Sequence, residues 1–314
     1  MLCLAATRSS EKPIMTEDTT EAIRTITDHA KEITRGSYTH TEELQRLADE
    51  SVHSPEISGL AEAFGMMSVK VEAREFDLQQ KNVELTEALK IRTIASQLLL
   101  WFAISMSLYI FLMAFFYQPG LFDTAKPILI RWFGMAFLLS QVVLITIMIR
   151  RSGLSLSDYG VNTNHWKKSL MEGLVAAGVV IAGLLFIKLW MIHTPTMMEG
   201  MPVIVLEEMN TLFTYTFIVH APFQEFIARG VLQSSAKRIL VGKRRVFWSI
   251  FSVSLIFGAI HTVYSLPFAL ITLVSSFLWG WLYERHSNLI GVSVCHILMG
   301  LAFIFLGFWE IIAF

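Results

Sequence analysis

The chain has 314 residues, a net charge of −1, 54% hydrophobic and only 16% charged residues, and a mean hydropathy of +0.54. Soluble domains carry about a quarter charged residues, so this composition is that of a membrane protein, and the balanced charge without an aromatic–basic stripe excludes a nucleic-acid binder. Two cysteines, Cys3 and Cys295, imply no disulfide framework.

In chain order, residues 1–20 read as a disordered N-terminus, too short and polar at the start for a signal peptide, with Met15 an alternative start. Residues 21–93 read as a helical, coiled-coil region. Ile23, Ile26, Ala30 and Ile33 step by three and four in a first helix. Ile57, Leu60, Phe64, Met67 and Val71 do so in a second, which Leu78 and Leu85 extend in heptad phase. The intervening GSYTHTEELQRLADESVHSP carries Gly36 and Pro55 as breakers and reads as an extended connector. The heptad stripe predicts a parallel homodimer through residues 20–90.

From Ile94 onward the chain is nearly continuous apolar sequence, and windows of about 20 residues give about seven spans. They fall near 94–117, 127–149, 170–192, 209–233, 246–265, 267–283 and 288–313. The first two, over 94–149, lead into a membrane domain over 150–314. Arg150, Arg151, Lys167, Lys168, Lys237, Arg238 and Lys243 to Arg245 lie between spans on one side, whereas 194–208 carries neither Lys nor Arg. The positive-inside rule then predicts a cytoplasmic N-terminus. The expected fold class is an all-α, polytopic membrane helix bundle preceded by a cytoplasmic coiled coil.

Four intramembrane ionisable residues dominate these spans: Glu225 and Arg229 in QEFIARG, His261 in FGAIH and His296 in CHILMG. An ionisable side chain at the bilayer centre costs roughly 2.5–3.5 kcal/mol or more and needs a partner. Glu225 and Arg229 are four apart on one helix face, in the better order for an ion pair. Alone, the pair could be a staple and each histidine a satisfied core residue. Together they predict one cavity, opening to the cytoplasmic half, where a reaction site would be built. Cys295 reads as packing, His220 as nearer the outer surface, and Lys188 as snorkelling outward. Glu284 and Arg285 read as a solvated turn, the aromatic residues along 301–309 as lipid-facing with Trp309 an interface anchor, and Gly280 and Gly291 as points of close helix approach.

QEFIARG, FGAIH and HILMG, in that order, resemble the Glu-Glu-x-x-x-Arg, Phe-x-x-x-His and His-x-x-x-Asn motifs of the CAAX protease and bacteriocin-processing family of intramembrane endopeptidases. GLSLSDYGV and GWLYERHSNLIGVSVCH add to the resemblance, which covers about residues 150–305. It implies cleavage of a peptide or membrane-associated protein, with Glu225 and His261 activating water, His296 stabilising the oxyanion and Arg229 fixing the glutamate. A zinc version would use Glu225, His261 and His296 as ligands. Two positions depart from the pattern: Gln224 stands where the first glutamate would be, and Gly300 where the asparagine would be. They leave open a protease-like, non-catalytic scaffold or sensor. ITRGSYT and SPEISGLAEAFGMM resemble the two helix boundaries of a HAMP signalling module, which would regulate either version and implies a bacterial inner membrane.

Overall fold

The computed structural model describes residues 17–38, 41–116, 126–194, 198–205, 207 and 212–312. The expectations for residues 1–16, Met15 included, fall outside them. Among the described residues every regular element is helical, and the chain divides between Ala88 and Leu89 into two compact units.

The first unit holds α1 (Glu17–Thr34), α2 (Thr41–Leu47) and the start of α3 (Pro55–Phe116). Ile26 of α1, Leu44 of α2 and Ala61 of α3 form its core, with Leu47, Ala48 and Phe64 packed against it. Residues 41–47 of the expected extended connector are therefore a helix. Leu44 and Leu47 are three apart and give this short turn an apolar side, while Glu42 and Glu43 in its first turn and Arg46 in its last suit the helix dipole. Gly36, at φ 78°, ends the chain's exit from α1, and Pro55 opens α3, where its missing N–H costs nothing. Only part of the heptad stripe is covered within the chain. Ile57 is buried, whereas Leu60 and Met67 are each 43% exposed, Leu78 59% and Leu85 57%.

The second unit is an all-α membrane bundle. Among the described residues five helices are long and apolar enough to cross a bilayer: α3, α4 (Lys126–Arg151), α5 (Trp166–Met191), α8 (Arg245–Ile260) with the turn that follows it, and α9 (Leu266–His286). The two remaining expected spans are helical but different in form. α10 (Ile290–Phe305) is a shorter apolar helix, followed by α11 (Phe308–Ile312). The segment 212–239 is α6 (Leu212–Glu225), a π-helix (Phe226–Gln233) and α7 (Ser234–Ile239) end to end. Polar groups at one end of the bundle tie these elements together: Arg92 donates to the Ile239 carbonyl at 3.0 Å, Arg238 to the Asp158 carbonyl at 3.0 Å, and Arg285 to Glu172 at 2.6 Å. Lys237 pairs with Glu284 there, so Glu284 and Arg285 are not a merely solvated turn. Most of the basic residues of this unit collect at this end.

Two close backbone approaches set the frame of the site. A Cβ on Gly291 of α10 would stand 2.0 Å from the Ser169 carbonyl oxygen, and one on Gly173 of α5 would stand 2.3 Å from the Gly291 carbonyl oxygen. Helices without a solvent-driven hydrophobic force associate through such small-residue contacts. The loop before α5 hooks onto the turn between α9 and α10. Ser155 and Asp158 form a capping box, Gly160 takes a left-handed φ of 84°, and its carbonyl accepts from Leu289 at 3.1 Å. Burial raises the Tyr159 hydroxyl above its usual pKa there, against the opposing effect of Arg238.

Candidate functional site

The π-helix follows Pro222 and starts just after Glu225. Wide π turns are rare and frequent at functional sites, and here every residue from Phe226 to Gln233 is buried. Glu225, Arg229 and Gln233 are all completely buried. Arg229 Nε donates to Glu225 Oε2 at 3.1 Å, and Arg229 Nη2 donates to Ser276 Oγ of α9 at 2.6 Å. The other carboxylate oxygen, Oε1, accepts from His296 Nδ1 at 2.8 Å. Glu225 therefore joins a guanidinium to an imidazole, so each of these three buried ionisable groups has a hydrogen-bonded partner, as a low-dielectric interior requires.

These bonds select the tautomer that each imidazole takes when it is neutral. His296 Nδ1 carries its hydrogen toward Glu225, which leaves Nε2 with its lone pair. His261 Nδ1 lies 2.6 Å from the Phe257 carbonyl oxygen, which can only accept, so Nδ1 is protonated and Nε2 is the free acceptor. Phe257 lies between the two rings, 4.7 Å from His261 and 6.0 Å from His296. Trp279 stacks flat on His296 at 3.9 Å, and Phe217 meets it edge-on at 5.8 Å.

Glu225, Arg229 and His296 thus converge as expected, with His261 beside them, but two details differ. Glu225 pairs with His296 rather than with His261. The two histidines also sit at different depths. His261 caps α8 at the end opposite Arg245, about 24 Å along the helix, while His296 is about 9 Å from the start of α10.

His220, which its sequence position puts nearer the outer surface, lies within electrostatic reach of both His261 and His296. Its spacing of four residues from Gln224 on α6 was the available signal, since it puts both on one helix face. Ser276, Trp279 and Phe217 carry no signal of their own, being ordinary residues of apolar helices. Lys188 is buried with no hydrogen-bond partner for Nζ, beside Gly307, and does not reach outward. Trp309 packs on Phe213, Tyr264 and Phe268, while Phe303 and Phe308 are buried, so this aromatic run faces the protein next to His261. Cys295 is buried with Sγ 3.6 Å from Met299 Sδ, a packing role.

Gln224 is half-buried next to the cluster. At Gly300, one turn beyond His296, a Cβ would stand 2.1 Å from Phe217 Cζ. The Phe217 ring fills the space that a side chain at position 300 would take. Among the described residues no three His, Cys, Asp or Glu side chains are grouped as a metal ion would need, and both Glu225 oxygens are occupied by Arg229 and His296.

Fold and site together define an integral membrane protein, an all-α polytopic bundle with a buried carboxylate bridging an arginine and a histidine. Residues 206–302, which contain every one of these site residues, match the family model described as Type II CAAX prenyl endopeptidase Rce1-like, and this supports a CAAX-type intramembrane protease at the level of the family. No curated protein and no solved structure matches the chain.

Proposed function

We propose that this chain is an intramembrane endopeptidase of the CAAX type in which an imidazole, rather than a glutamate, activates the attacking water. The observation that carries this reading is the Arg229–Glu225–His296 arrangement inside the stretch matched by the family model. Glu225 holds His296 in the tautomer whose Nε2 can accept a proton, and it stabilises the imidazolium that forms, as the carboxylate of a Ser-His-Asp triad does. A water donating to His296 Nε2 and His261 Nε2 keeps its lone pairs for the scissile carbonyl. Its oxygen bonds to the carbonyl carbon, its proton passes to His296 Nε2, and the imidazolium then protonates the departing amine as the C–N bond breaks. The aromatic walls of Phe217, Phe257 and Trp279 exclude bulk water, which strengthens these interactions.

The chemistry needs no metal, and zinc held by Glu225, His261 and His296 would compete with Arg229 or His296 for a Glu225 oxygen. Hydrolysis unaffected by a chelator checks this, and chelator loss restored by zinc would overturn it. The substrate is a peptide or membrane-associated protein. With the basic end of the bundle cytoplasmic, in a bacterial inner membrane, the His261 side of the site faces the outer half. A HAMP-like dimer of residues 20–90 regulates it.

The test is hydrolysis of a peptide library by the chain in bilayers. His296→Ala and His261→Ala each abolish turnover, and Glu225→Gln lowers it by up to roughly 10⁴. A second reading, a protease-like scaffold that binds without cutting, is favoured by Gln224 and by the Phe217 ring at Gly300. Absence of wild-type turnover combined with turnover in Gln224→Glu would establish that reading instead.

A further inference from the structure

The segment 229–237 and α9 run in the same direction and meet at polar contacts every four residues on both sides. Arg229 donates to Ser276, Gln233 Nε2 donates to the Gly280 carbonyl at 2.9 Å, and Lys237 pairs with Glu284. The outer rung is a partly exposed ion pair, and the inner two are completely buried. The middle rung has an unspent group. With Nε2 bound to Gly280, the amide orientation of Gln233 is set, and its Oε1 is a buried acceptor without a partner. Arg229 Nη1 is a buried donor without a partner. Both atoms border the same place: a Cβ on Gly280 would stand 3.0 Å from Gln233 Oε1 and 3.3 Å from Arg229 Nη1.

A donor and an acceptor, each desolvated and each facing the gap over one glycine, complement one another through a single water. We propose that Gln233 is a positioning residue for the Glu225–His296 pair: through one bridging water its Oε1 holds Arg229 Nη1 over Gly280, which aims Arg229 Nε at Glu225 and so keeps Glu225 on His296 Nδ1. Ser276 fixes one terminal nitrogen of the guanidinium and Gln233 the other, so the planar group cannot rotate away from the carboxylate. Gly280 is required because any side chain would occupy the gap. The functional meaning of this chain of contacts rests on the hydrolytic reading above, but the contacts themselves do not.

The experiment reads tautomers rather than turnover. The full chain, labelled with ¹⁵N-histidine in nanodiscs, gives ring-nitrogen signals that are assigned by their loss in His296→Ala and His261→Ala. In Gln233→Met, which keeps the volume and removes the acceptor, the Nδ1–H to Nε2–H ratio of His296 falls about tenfold, the worth of one hydrogen bond to a charged group. His261, fixed by the Phe257 carbonyl, stays constant. An unchanged His296 in Gln233→Met, or His261 moving together with His296, would each overturn the proposal. A tautomer shift of the expected kind in a protein without any peptidase activity would remove the hydrolytic reading and leave this one standing.

Discussion

Phe217 and Gly300 exchange roles that a polar residue would otherwise hold beside His296. Since a Cβ at 300 would lie 2.1 Å from the Phe217 ring, Gly300→Asn alone overpacks the site and costs about 3 kcal/mol. Combined with Phe217→Ala it fits, and the double variant is more stable than the sum of the single changes by about 1–3 kcal/mol. Thermal unfolding of the four proteins in detergent measures this coupling, and strict additivity would show that the ring does not occupy that space. The same reasoning explains what could be read at the residue scale. Glu225, Arg229, His261 and His296 stand out because a charge or imidazole in an apolar run has few explanations. Which carboxylate oxygen meets which ring nitrogen depends on α6 and α10 meeting in space, so the Glu225–His296 bond was not legible.

Among the elements, α5 and α10 meet through glycine, and the contact is backbone on backbone. Gly291→Ala is expected to cost about 3 kcal/mol, because helix main chain rather than a flexible side chain must retreat, and to lower the melting temperature accordingly. Lys188 has the opposite prospect. Its Nζ is buried without a hydrogen bond, so Lys188→Met keeps the stem, removes the desolvated amine and stabilises the protein by about 1–3 kcal/mol. A lower melting temperature for that variant would mean that the amine has a partner. In α6 the sequence pattern indicated one apolar span, but the π turn beyond Pro222 was invisible to it, since an extra residue per turn leaves hydropathy unchanged.

At the scale of the whole molecule, the two units behave differently in the sequence. The heptad pattern of the N-terminal stripe predicts a dimer seam, yet Phe64 packs inside its own unit on Ile26, Leu44 and Ala61. Phe64→Lys therefore tests the fold of that unit, whereas the exposed Met67 tests dimerisation. Met67→Lys is expected to abolish a Leu78→Cys crosslink between copies while leaving helix content intact, and a crosslink that persists would assign the exposed stripe to something other than a second copy. In the membrane unit, residues 150–302 contain the hook, the π segment and both histidine helices that surround one site.

The class of this protein is legible in one dimension, because continuous apolar runs of about 20 residues cross a bilayer as helices, which satisfy their own backbone. The sequence also determined which polar residues would cluster, since each one alone would be too costly to bury. The tertiary structure decided the rest. It placed His261 at the end of α8 remote from the basic loops, gave Glu225 to His296, brought His220 within electrostatic reach of His261 and His296, and turned the aromatic run near Trp309 inward. Those outcomes depend on helix direction, rotation and the glycine contacts that set the spacing of neighbouring helices, and a one-dimensional pattern does not encode them.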